Sequence, residues 1–145
     1  MAETLYTREI LRLAMQLAAD DEIEHPDGEA TMRSAVCGSE MTVQLALNAD
    51  GSVGRLAIQA KACAVGQASA AILQKNAVGA SAASIEDARS ELAEFLQGGG
   101  ELHCRWADLQ HLAPAKDHSA RHSAILLPYK ALLAGFEDAA KNHAG

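Results

Sequence analysis

The stretch RLAIQAKACAVGQASAAIL, Arg55 to Leu73, changes its hydrophobic period midway, and that change decides the fold. Its first half alternates. Leu56, Ile58 and Ala60 fall on one face of an extended chain, with Arg55, Gln59 and Lys61 along the other side or in the turn. From Ala62-Cys63 onward the residues are small and continue as a helix, with Ile72 and Leu73 on its later turns. Cys63 therefore falls at or just before a helix N-terminus. Free backbone N–H groups and the positive end of the helix dipole suit a thiolate there, as a nucleophile or a metal ligand needs. A buried small residue at a tight strand-to-helix junction is the simpler role for a cysteine taken alone.

Two more strands precede this one. Ala30–Val36 and Met41–Asn48 are short, and Met41, Val43, Leu45 and Leu47 alternate with Thr42, Gln44 and Ala46. Asn48-Ala49-Asp50-Gly51-Ser52 supplies the turn into the third strand, Val53–Lys61. Between the first two strands sits Cys37-Gly38-Ser39-Glu40, where the glycine lets the backbone turn sharply beside the sulfur. Further upstream, Thr4 to Ala19 reads as an amphipathic helix. Leu5, Ile10, Leu13, Ala14 and Leu17 share its apolar face, and Leu11 and Met15 widen it. The acidic run Asp20–Gly28, with its Pro-Asp-Gly, reads as an exposed linker.

Downstream, the helix that begins near Cys63 should end around Val78 at Gly79. A second helix, N-capped by Ser84, runs to about Gln97 and stops at Gly98-Gly99-Gly100. Glu101–Ala113 is a shorter helical piece ended by Pro114. A last helix starts near Ser119 or Ala120 and runs to about Lys141, with Pro128 kinking it or marking its first turn. The sum is an α+β fold: a small three-stranded antiparallel sheet with helices packed on one face. No repeat or long linker divides residues 1–145, so one domain is expected.

The composition limits what such a domain can do. A formal charge of −7 and a pI near 5.3 argue against a nucleic-acid partner or an anionic membrane surface. Hydrophobic residues make up 49% but aromatics only 3%, which suits closely packed helices more than a large aromatic ligand pocket. The N-terminus MAETLYTREIL has no basic lead into an apolar core, and no apolar run approaches a membrane span, so a cytoplasmic protein is expected. Three cysteines in such a chain point to thiols or metal ligands before disulfides. No Ser-His-Asp array, phosphate loop or dinucleotide motif suggests a hydrolase or nucleotide enzyme.

In this arrangement Cys37 leaves the first strand and Cys63 the third, so both fall at one edge of the sheet. Arg121-His122-Ser123 opens the last helix, and a histidine there can serve as a neutral ligand. Taken alone, His122 reads as an ordinary half-buried or capping histidine rather than a ligand. Cys37-Gly38, Lys61–Ala70 (KACAVGQASA) and Ala120–Leu132 (ARHSAILLPYKAL), in this order and spacing, resemble the IscU/SufU/NifU-like iron–sulfur cluster assembly scaffold proteins. The resemblance runs from about the first strand to the end of the chain, and it implies a SufE/NifU-like fold. It also implies a metal site at the sheet edge built from a Cys-Gly-Asp loop, a cysteine before a helix, and a third cysteine on the last helix, which a histidine precedes in some members. Such proteins accept sulfur from a cysteine desulfurase, assemble a labile [2Fe-2S] cluster and pass it to apo client proteins; many hold zinc in the empty site. They are carriers rather than turnover enzymes.

Carried over, the resemblance makes Cys37, Cys63 and His122 the iron or cluster ligands, and Cys37 and Cys63 the sulfur acceptors. Two positions depart from the pattern: Ser39 stands where an aspartate is expected, and Ser123 where the third cysteine belongs. A serine hydroxyl is a poor ligand for a soft site and cannot carry a persulfide. A closed tetrahedral site needs four ligands, so the fourth is Glu40, Cys104, solvent or a group from a partner. Cys104 lies in His103-Cys104-Arg105-Trp106 on a different element, where a small core residue beside Trp106 is the plainer role. The missing thiol leaves two alternatives open. One is a SufE-like sulfur acceptor that activates a desulfurase through a single persulfide; the other is a degenerate paralogue whose site holds structural zinc.

Overall fold

A computed structural model of the chain describes residues 6–17, 22–36, 38–99 and 106–143. Its three strands, β1 (Gly28–Arg33), β2 (Glu40–Leu47) and β3 (Val53–Lys61), form one antiparallel sheet in the order β1-β2-β3. The register sets Val43 opposite Ala30 and Ile58, and Leu45 opposite Gly28 and Leu56. Met41, Val43 and Leu45 are buried, as their alternation predicts. The turn between β2 and β3 closes as its residues dictate. Asp50 Oδ1 accepts from the Ser52 amide at 3.0 Å and its hydroxyl at 2.6 Å, while Gly51 takes φ +86°.

Four helices, α1 (Arg8–Met15), α2 (Ala64–Asn76), α3 (Ala82–Leu96) and α4 (His122–His143), complete the fold, with α2 against β3 and α4 against β1 and β2. A 3-10 segment, Ala107–Asp117, and one further 3-10 turn, Ser119–Arg121, lead into α4. Gly28 of β1 and Gly135 of α4 let these two backbones nearly touch: a Cβ on Gly28 would overlap the Gly135 carbonyl oxygen. Asp138 then reaches across to accept from the Glu29 amide at 2.9 Å.

Several expectations need correction. α1 is shorter than the amphipathic pattern, starting after Thr7, whose hydroxyl accepts from the Ile10 amide at 3.2 Å; Leu5 and residues 18–20 lie outside the described residues. Leu11 and Met15 do not widen the buried face, being 47% and 86% exposed. They sit about 100–140° round the helix from Ile10. The acidic stretch after α1 is not simply exposed. Ile23 is buried, and its amide donates to Gln44 Oε1 at 2.9 Å, so this segment straps the face of the sheet away from the helices. The N-cap of α3 is Ser81, not Ser84; the Ser81 hydroxyl accepts from the Ser84 amide at 3.1 Å. Gly79, at φ +89°, lies just past α2, as expected.

Pro114 does not end the segment before α4. The 3-10 segment continues through it to Asp117, because proline's fixed φ is compatible with a 3-10 turn. Pro128 is also not a first-turn residue: α4 begins at His122 and runs on through it. The Ser69 hydroxyl donates to the Ile125 carbonyl at 2.6 Å, just ahead of the position where proline removes a donor. Among the described residues no helix is long and apolar enough to cross a membrane.

Candidate metal centre

The sheet register brings one end of all three strands together. Arg33 at the end of β1 faces Glu40 at the start of β2, which in turn faces Lys61 at the end of β3. Beyond Arg33, the connection Ser34–Ser39 is closed at its base by the Ser34 amide donating to the Ser39 carbonyl at 2.8 Å. The Gly38 amide donates back to the Ser34 carbonyl at 2.9 Å, with Gly38 at φ +73°, the conformation for which a glycine after the cysteine was expected. Cys37 belongs to this connection by sequence and lies outside the described residues, as does Cys104.

Beyond Lys61, Cys63 is the N-cap residue of α2, with extended φ and ψ of −64° and 166°. Its carbonyl opens the helix by accepting from the Gln67 amide at 2.9 Å, and the Gln67 side chain ties down the Ala62 carbonyl at 2.9 Å. The Cys63 thiol is free and half-buried, and makes no capping hydrogen bond. Strand, junction and helix are thus assembled as the period change in Arg55–Leu73 predicts.

The first turn of α4 meets both loops. Ser34 Oγ donates to Ser123 Oγ at 2.9 Å, which pins the base of the Cys37 connection to α4. Gly66, in the first turn of α2, lies against Ala124: a Cβ placed on it would stand 3.3 Å from the Ala124 Cβ. His122 turns its Nε2 toward the carbonyls of Ala115 and Lys116, at 2.9 and 3.2 Å. The corner therefore gathers the start of α2, the start of α4 and the turn from β1 to β2. Ser34 and the two carbonyls could not be read as parts of it from the sequence, since Ser34 and Ser123 are 89 positions apart and no residue pattern links them.

Glu40 is already engaged. Its carboxylate takes a 2.8 Å hydrogen bond from Arg33 Nη2 and lies 3.8 Å from Lys61 Nζ. The Arg33 hydrogen bond and charge hold its carboxyl below the usual range, with Lys61 adding to the effect. To bind a metal through Oε1 it would have to leave the guanidinium. Ser39, where the resemblance expects an aspartate, is buried. Among the described residues no three histidine, cysteine or acidic side chains stand close enough to hold a metal ion. Of the residues the resemblance implies as ligands, Cys63 and His122 lie on described elements, and thiolate with imidazole suits zinc and iron–sulfur centres.

No protein-family model matches the chain, and neither does any curated protein. Solved structures do. The N-terminal part of a nitrogen-fixing NifU-like protein from Brucella abortus is 33% identical, with a TM-score of 0.86 over 94% of this chain and 95% of that one. A protein from Fervidobacterium islandicum AW-1, assigned as an iron–sulfur cluster assembly scaffold for the SUF system, shares the fold. Its TM-score is 0.80 at 17% identity, over 91% of this chain and 96% of that one. With the three-stranded sheet, the helix order and an identity of this extent over nearly the whole of both chains, the chain belongs to the IscU/SufU/NifU-like family.

Proposed function

We propose that residues 1–145 form one cytoplasmic iron–sulfur assembly scaffold that takes iron and sulfur at the corner between β1, α2 and α4. The observation that carries this reading is the meeting of the α2 and α4 first turns with the base of the Cys37 connection, through Gly66 against Ala124 and Ser34 against Ser123. Cys37 and Cys63 are its thiols and His122 its imidazole. Sulfur arrives from a cysteine desulfurase: a thiolate attacks the outer sulfur of the donor's persulfide, a new S–S bond forms, and the donor leaves as a thiolate. The cargo is a [2Fe-2S] cluster or its iron, passed on to apo client proteins; zinc fits the same donors. With a hydroxyl at 123 the site has an open or weak fourth position, which suits a carrier that must release what it assembles.

Anaerobic reconstitution with iron and sulfide tests this. Charge-transfer absorption in the visible is expected, and Cys63→Ser should abolish it; a protein that stays colourless under these conditions has no scaffold role. The Ser123 hydroxyl, already bonded to Ser34, favours one second reading, a SufE-like acceptor working through a single persulfide. That reading predicts desulfurase activation dependent on one thiol, with no bound metal.

A further inference from the structure

We propose that His122 presents its Nδ1 atom to the metal, because the 3-10 segment before α4 takes the proton of Nε2. The inference rests on the scaffold reading and assigns the ligating atom within it. His122 Nε2 lies 2.9 Å from the Ala115 carbonyl oxygen and 3.2 Å from that of Lys116. Carbonyl oxygens only accept hydrogen bonds, so the nitrogen facing both is the protonated one. In the neutral ring the lone pair is then on Nδ1, and the partner of one nitrogen selects which nitrogen a metal can take.

The acceptor pair is held firmly enough to impose this choice. Ala115 and Leu112 are fully buried. Lys75 Nζ of α2 pairs with Asp108 at 3.2 Å, near the start of the segment. At its other end Lys116 Nζ stands 5.3 Å from the centroid of the Phe95 ring of α3. Turning the imidazole over would break both ring hydrogen bonds and take a donor away from the buried Ala115 residue. The carbonyls belong to the last turn of the 3-10 segment; that of Ala115 also accepts from the His118 amide at 2.9 Å, which fixes its direction, and its second lone pair is the one that faces the imidazole. His122 thus completes the segment while the segment orients His122.

Histidine-labelled protein in long-range proton–nitrogen NMR at about pH 8, above the ordinary histidine pKa, reads the tautomer directly. The His122→Gln variant assigns the resonances by their loss. The metal-free ring is expected to carry its proton on Nε2. One equivalent of zinc should then shift Nδ1 strongly, while Nε2 keeps its one-bond coupling to hydrogen. A proton on Nδ1 before zinc is added, or a zinc shift at Nε2, overturns the proposal. Cobalt as a second probe separates this from the scaffold reading. A thiolate-to-cobalt band with no zinc-induced movement of either His122 nitrogen removes His122 alone, and no band at all removes the site with it.

Discussion

The Ser123 oxygen, where the resemblance expects a thiol, accepts from the Ser34 hydroxyl at 2.9 Å. Replacing Ser123 with cysteine puts a thiol in the first turn of α4, beside the Ser34 hydroxyl. Ser123→Cys is expected to slow loss of the reconstituted chromophore to a chelator several-fold, measured as absorbance decay; an unchanged decay would mean that position 123 does not face the cargo. The substitution should cost about 1 kcal/mol of stability, the usual value of one hydrogen bond. Gly38 makes a different point. Nothing lies within 4 Å of where its Cβ would be, so Gly38→Ala meets no clash and only backbone strain at φ +73°. A loss of about 1–2 kcal/mol in urea unfolding is expected, and a loss near zero would mean that the turn relaxes freely. The thiol and the glycine could be read from the sequence because each marks a local conformation. Ser34 could not, because its partner Ser123 is 89 positions away, and the Ala115 carbonyl could not, because a backbone acceptor leaves no mark in the residue type.

The packing of α4 on β1 depends on two small residues with no local signature. Gly28→Ala would push a methyl into the Gly135 carbonyl and against Ala139. Such overpacking typically costs about 1–3 kcal/mol, so a lowered thermal midpoint is expected, and an unchanged one would show that α4 can lift off the strand. The strands were the most legible elements. β3 runs Val53–Lys61 as its alternation predicts, bounded by a turn on one side and the Cys63 junction on the other. β1 was misplaced, since Ala30–Val36 carries no strict alternation and Gly28, buried under α4, looks like a loop residue. Ser81 and Ser84 offered competing caps for α3, and only the hydrogen bond chooses between them. The 3-10 segment through Pro114 buries Leu109, Leu112 and Ala115 at a spacing of three, the period of a 3-10 helix, which a search for the α-helical period does not register.

In a chain of net −7, two cations and one carboxylate meet at the strand ends of the corner: Arg33 and Lys61 flank Glu40, and Lys130 lines the hollow that Ser34 and Ser123 also line. Arg33 lowers the Glu40 pKa, Ser52 lowers that of Asp50, and Arg89 lowers that of Glu86, each chiefly by hydrogen bonding the ionised form. A carboxyl whose folded pKa is depressed stabilises the fold in full above its unfolded value, about 4.3 for Glu and 3.9 for Asp. That contribution is lost as pH falls through the folded values. The thermal midpoint should therefore be nearly flat from about pH 7 to 5 and fall below about pH 4. Glu40→Gln removes one of the three depressed groups, so its decline below about pH 4 should be shallower than that of the unmodified chain. Identical slopes would mean that the Arg33–Glu40–Lys61 row contributes nothing to holding the strand ends together. At neutral pH the same variant leaves Arg33 and Lys61 without their shared counter-charge, so the corner becomes more positive while the Asp50 and Glu86 pairings are kept. Metal affinity measured against salt then separates the two roles of Glu40: a repelled cation weakens zinc binding at low salt and less as salt is added, whereas loss of Glu40 as a ligand weakens it at every salt concentration, since only the repulsion is screened.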